Sequence, residues 1–173
     1  MSLPFHFCYH CGSDQLEQRS WREVKCSACS YSQYLFVTSA AVALVQDAQG
    51  RLLLMRRAHE PAMGKLGLPG GIIEAWQTAE AACSREVLEE TGITVPEDAW
   101  SYLGTFNNRY QFQGYVWPTL DIVFMAKIES FEAACAVDGE ASEVIALPLN
   151  EIAVEELAFQ THIDAVKRLM ARV

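Results

Sequence analysis

The stretch that decides the fold is Gly70 to Ile93, GGIIEAWQTAEAACSREVLEETGI. Thr78 to Thr91 has helix formers at nearly every position, and Gly92 stands where a left-handed cap ends a helix. On that helix Glu86, Glu89 and Glu90 stand at i, i+3 and i+4, so they share one face. Like charges at this spacing repel, and Arg85 can relieve the strain through its i+4 partner Glu89. The other side carries Ala79, Ala82, Cys83 and Val87, small enough to pack closely on a sheet. A carboxylate face beside a glycine-rich loop suits Mg²⁺, a hard ion that takes oxygen ligands. On charge alone, an acidic helix face turned to solvent accounts for the same residues.

Working outward, a Gly/Pro-rich loop through Gly64, Gly67, Pro69, Gly70 and Gly71 leads into the helix. Before it, Phe36 to Gln46 reads as a buried strand, Asp47-Ala48-Gln49-Gly50 as a turn and Arg51 to Arg57 as the returning strand. After it, residues 101–128 read as two strands joined around Gln111 to Gly114, and Val144 to Leu149 as another. Gln160 to Ala171 places Ile163, Val166, Leu169 and Met170 at helical spacing. Strands, helix, strands, helix predict an α/β sandwich with a mixed sheet.

The chain has 173 residues, and its 13 basic against 22 acidic groups give a charge of −9. Residues 1–36 are neutral, with Arg19, Arg22 and Lys25 against Asp14, Glu17 and Glu23. Cys8, Cys11, Cys26 and Cys29 also fall there, so two composition signals break near residue 36. We expect a small module over 1–36 and a second domain over 37–173. The acidic balance argues against a nucleic-acid partner, since phosphate contacts run on Lys and Arg. It leaves room for a small anionic ligand held through a metal. MSLPFHFCYH has no basic region followed by an apolar core, and no apolar run is long enough to span a membrane. A cytoplasmic protein without a membrane partner is expected.

In that compartment, paired cysteines hold metal more often than they form disulfides. Two CxxC knuckles, fourteen residues apart, supply the four sulfurs of a tetrahedral Zn²⁺ site. Four thiolates leave no place for water, so such a zinc ribbon is structural. His6 and His10 stand beside the first knuckle as alternative ligands, and Cys83 reads as a small buried hydrophobe.

The Gly71 to Ile93 segment closely resembles the Nudix box, G-x5-E-x7-R-E-U-x-E-E-x-G-U with U a bulky aliphatic. Gly71, Arg85-Glu86-Val87, Glu89-Glu90 and Gly92-Ile93 match, with Leu68-Pro69-Gly70-Gly71 and Glu74 as the approach. The departure is Gln77, where the box has Glu, a residue that commonly pairs with the box arginine, here Arg85. Trp76 stands where glycine is frequent, and Leu66 where a tryptophan often precedes the LPGG stretch. The resemblance covers about residues 37–173, and the cysteine ribbon is similar to that of some bacterial Nudix hydrolases, NADH pyrophosphatases among them.

The resemblance implies Mg²⁺- or Mn²⁺-dependent hydrolysis of a nucleoside diphosphate linked to another group, with Glu86, Glu89 and Glu90 as metal ligands. It implies a further acid to take the proton, for which Glu140 is the candidate and Glu143 the runner-up. Arg56, Arg57 and Arg109 are candidate phosphate contacts; strand alternation sends Arg56 and Arg57 to opposite faces. Phe106, Tyr110, Phe112, Tyr115 and Trp117 could stack a nucleobase, or serve as core or as the interface of a homodimer. No S-Q-P-W-type motif follows the box, which favours ADP-ribose or another X-linked ADP over NADH as substrate. The competing reading is a catalytically weak Nudix-fold ligand sensor or regulatory binding module, with Gln77 in its favour.

Overall fold

The computed structural model describes residues 5–137 and 139–172. Near the N-terminus, β1 (Leu16–Gln18), β2 (Glu23–Cys26) and β3 (Ser32–Tyr34) form a small antiparallel sheet in the order β1-β2-β3. A seven-stranded sheet follows, with the path β10-β5-β4-β9-β8. Its strands are β4 (Thr38–Gln46), β5 (Arg51–Arg57), β6 (Leu66–Gly67), β7 (Gly70–Ile72), β8 (Ser101–Phe112), β9 (Tyr115–Lys127) and β10 (Ala141–Pro148). β4 and β9 run parallel over Thr38 to Gln46 and the other pairings are antiparallel, so the sheet is mixed, as expected.

Helices α1 (Ala79–Thr91) and α2 (Gln160–Met170) cover opposite faces of this sheet. The alternation of β4 shows it: Ala41, Ala43 and Val45 pack with Ala82, Cys83 and Val87 of α1. Val42 and Leu44 pack instead with Ala165, Val166 and Leu169 of α2. A strand buried on both faces needs an unbroken apolar run, which is why residues 40–45 read AAVALV. The expected strand starts two residues late. Phe36 and Val37 lie exposed between the two sheets, and pairing with β9 begins at Thr38.

The glycine-rich segment differs more from expectation. It reads as a loop, yet it carries two short strands that enter the sheet between β4 and β5. Those strands share only the Gln46–Leu52 pair, and beyond it β7 takes up Ala40 to Val42 while β6 takes up Met55 and Arg56. Gly70 makes the insertion possible, because at φ 150 a Cβ there would lie 2.3 Å from the Ala41 carbonyl oxygen.

The helix ends are as the sequence predicts. Thr78 Oγ1 accepts from the Ala81 N–H at 3.1 Å, and Gly92 at φ 70 donates to the Leu88 carbonyl at 2.9 Å. The long hairpin turns through Gln113 and Gly114, at φ 49 and 80, the two left-handed residues of a two-residue hairpin loop. Among the described residues, no helix is long and apolar enough to cross a membrane.

Gly70→Ala should destabilise the protein by about 3 kcal/mol or prevent it folding, since backbone must move off backbone. Gly50→Ala, at φ 77 with nothing within 4 Å of its Cβ, should lose only about 1 kcal/mol. Urea denaturation midpoints of the two variants check the difference.

Candidate active site

α1 presents its carboxylates to the inserted strand. Glu90, only 4% exposed, accepts from the Gly70 N–H at 2.9 Å through Oε2. Glu86 lies against Gly71 so closely that a Cβ there would stand 2.4 Å from Glu86 Oε1. Glu89, one turn from Glu86 and half exposed, completes the face that the sequence predicts. Two glycines in a row are therefore a contact requirement as well as a turn preference.

Arg85 crosses the same face. Its guanidinium donates to Glu89 Oε2 at 2.8 Å, pairs with Glu86 Oε1 at 2.9 Å and reaches the Ile72 carbonyl at 3.2 Å. Gln77 Oε1, the uncharged substitute, accepts from it at 3.4 Å and from the Glu74 N–H at 3.3 Å. The expected i+4 relief of Glu89 is thus present, and the clasp to position 77 is the longest of the four contacts. Trp76 has φ 70 and a fully exposed side chain. Left-handed backbone there explains why glycine suits the position and means that tryptophan is strained in it.

Three carboxylates on one face, one of them buried, are the oxygen donors a hard divalent cation takes. The donor chemistry fits, although Glu86 and Glu89 lean towards Arg85. Among the described residues, the only group of three or more Cys, His, Asp or Glu whose ligand atoms all lie within 4.8 Å of one another is Cys8, Cys11, Cys26 and Cys29. There the sulfurs of Cys8 and Cys29, and of Cys11 and Cys26, are 3.7 Å apart. A disulfide is about 2.05 Å, and the edge of a tetrahedron with metal–sulfur bonds of ~2.3 Å is about 3.8 Å. The cluster is consistent with a zinc ribbon. His6 bonds the Tyr115 hydroxyl at 3.3 Å and His10 stacks on Tyr31, so neither histidine joins it. Cys83 is buried among apolar side chains of α1 and the sheet, and burial, then the charges of Glu80 and Glu86, push its thiol up to about 12.

The two arginines of β5 diverge as alternation requires. Arg56 donates to Glu143 Oε2 at 3.3 Å and to the Gly64 carbonyl at 2.9 Å. Arg57 donates to the Pro61 carbonyl at 2.8 Å and lies over the Phe159 ring, 5.1 Å from its centre. Tyr110 meets the same ring at 6.0 Å, so two candidate residues from distant strands converge on Phe159. Arg109 sits on the exposed hairpin opposite Pro118. Glu140 is exposed just ahead of β10, its carbonyl accepting from the Ala58 N–H at 2.9 Å, beside the end of β5.

Sequence reading missed Phe159 and His162, at the start of α2. His162 Nδ1 accepts from the buried Leu68 N–H at 3.2 Å, two residues before Gly70. The other ring nitrogen then carries the proton of the neutral ring. Burial, and then the charge of Arg57, take its pKa down to about 3. Asp121, also buried, accepts from Thr161 and Asn108; burial raises its pKa, and those two bonds offset part of the rise. Leu66, in place of the frequent tryptophan, is buried in the α2-side core.

Residues 36–169 match the NUDIX domain family. This chain belongs to the Nudix family. It is 30% identical over 128 residues to the NAD-capped RNA hydrolase NudC of Haemophilus influenzae strain PittGG, covering 73% of this chain and 45% of that protein. It is 31% identical over 114 residues to the ADP-ribose pyrophosphatase of Methanocaldococcus jannaschii, covering 65% of this chain and 64% of the relative. The chain thus spans about half the length of its NudC relatives. The crystal structure of a NUDIX hydrolase from Nitrosomonas europaea superposes with a TM-score of 0.75 at 23% identity, over 97% of this Nudix chain and 92% of that one.

The buried His162 makes stability depend on pH. Between its unfolded pKa of about 6.5 and its folded value of about 3, the unfolded chain binds a proton that the native state does not. Stability is therefore full above pH about 6.5 and falls as pH drops, by up to about 1.4 kcal/mol per unit. Melting temperatures between pH 7 and pH 5 should show a shallower slope for His162→Asn than for the parent.

Proposed function

We propose that this Nudix protein is a Mg²⁺- or Mn²⁺-dependent pyrophosphohydrolase that splits a nucleoside diphosphate linked to a second group into two phosphates. The observation that carries this reading is the carboxylate face of α1 locked to the glycine strand, with buried Glu90 on Gly70 N–H and Glu86 on Gly71. Glu86, Glu89 and Glu90 would hold the cation, and Arg85 pairs with two of them. When bound, the cation would supply positive charge for the pyrophosphate oxygens and lower the pKa of the attacking water. Glu140, on the loop beside the end of β5, accepts the proton of that water. Arg57, Tyr110 and Phe159 grip the nucleoside end of the substrate, and Arg109 on the hairpin meets its phosphates. Arg56, held by Glu143 and Gly64, braces the sheet edge.

ADP-ribose is the foremost substrate, supported by the likeness to the ADP-ribose pyrophosphatase of Methanocaldococcus jannaschii. The NudC relatives bring the 5′ end of a nucleotide-capped RNA into the same chemical class. The charge of −9 is unsuited to holding a long phosphate backbone, so any RNA would be gripped at its capped end alone. The described part of the N-terminal segment, residues 5–36, is a ribbon module with one structural Zn²⁺ on the four cysteines, in keeping with a reducing cytoplasm.

With Mg²⁺ present, the protein should release AMP from ADP-ribose, and Glu89→Gln should lower the rate by at least about a hundredfold with an unchanged melting curve, since a neutral amide is a poor Mg²⁺ ligand. Calorimetric binding of ADP-ribose without cleavage of any dinucleotide, nucleotide sugar or capped RNA would replace the hydrolase with the sensor reading. Elemental analysis should return close to one zinc per chain, and zinc-free folded protein would remove the ribbon assignment.

A further inference from the structure

Arg85 meets both Gln77 and the carboxylates of α1. The guanidinium lies where the 74–77 turn meets α1, its side chain 24% exposed and its Nε buried with no hydrogen-bond partner among the described residues. Of its four acceptors, the two at 2.8 and 2.9 Å are charged, Glu89 and Glu86, and the two at 3.2 and 3.4 Å are neutral, the Ile72 carbonyl and Gln77. Gln77 Oε1 is also shared with the Glu74 N–H. A half-buried guanidinium takes the strongest charge-assisted bonds within reach. With an amide at 77, those belong to α1.

The oxygens it occupies are Glu86 Oε1 and Glu89 Oε2, both on the carboxylate face read above as the cation site. The Glu86 side chain is only 13% exposed, so water screens its pair with Arg85 poorly. Breaking that pair, with Arg85 Nε already short of a partner, is harder than breaking an exposed i, i+4 pair.

We propose that Arg85 is a built-in competitor for the divalent cation, and that Gln77 is the positioning residue that leaves it in this role. Cation binding exchanges Arg85 off Glu86 and Glu89, so the free-cation concentration needed to load the site is set at position 77. A carboxylate at 77 would meet Arg85 from the turn side, keep the Glu74 N–H bond and release the helix oxygens. This inference rests on the three glutamates being the cation ligands.

The test is Mn²⁺ binding, read from the electron paramagnetic resonance signal of free Mn²⁺, with the whole chain and no substrate. Gln77→Glu should tighten Mn²⁺ by about three- to fivefold, the effect of one ion pair rearranged. Trp76→Glu adds the same charge one residue away, on a side chain that lies wholly in solvent, and should tighten it by less than about twofold. In an Arg85→Gln background the gain from Gln77→Glu should disappear, because the two residues then have nothing to exchange. Should Arg85→Gln not fold, the Trp76→Glu comparison decides alone. An unchanged affinity for Gln77→Glu, or equal gains from Gln77→Glu and Trp76→Glu, overturns the competitor role while leaving the cation site standing. That site is tested separately by loss of Mn²⁺ in Glu89→Gln; a parent that binds no Mn²⁺ overturns both.

Discussion

The structure depends on one close approach. A strand without side chains, Gly70-Gly71, is pressed between the backbone of β4 and the carboxylates of α1. On one side it closes the gap where β4 and β5 part; on the other its N–H holds the buried Glu90. A buried carboxylate is tolerable only when it is hydrogen-bonded. The sheet thereby supplies what the helix needs to bring an acid inside, and the helix in turn holds the strand in the sheet.

The opposite helix reaches the same segment. His162 of α2 accepts the Leu68 N–H, so the five residues Leu66 to Gly70 are held from both layers of the sandwich. Next to that histidine, Phe159 gathers Arg57 and Tyr110 from two different strands. Through His162 and the glycine-rich segment, the Phe159 cluster is connected to the strand that holds Glu90.

Charge carries the remaining logic. All of the excess acid lies beyond residue 36, and the acids on the face of α1 have partners. Glu90 is held by backbone, Glu86 and Glu89 by Arg85, and Glu143 by Arg56. Around α1, part of the negative balance is met internally, by one arginine shared between two carboxylates.

Much of this was legible in the residues themselves. Helix α1 with its caps, the acidic face, the buried β4 and the two-knuckle cysteine cluster are local in sequence, so period, capping chemistry and spacing reveal them. The divergence of Arg56 and Arg57 follows from strand alternation alone. The strands hidden in the glycine loop did not follow, because their partners lie about thirty residues back in β4 and ten in β5. Nor did Phe159 and His162, which look like an unremarkable lead into an amphipathic helix until packing brings them to Arg57 and Leu68. The fate of Arg85 was also beyond the sequence, which shows that position 77 lacks a charge but not where the guanidinium turns instead. Local chemistry is written along the chain; which distant groups satisfy a buried charge or a bare backbone N–H is decided only when the sheet and its two helices close on one another.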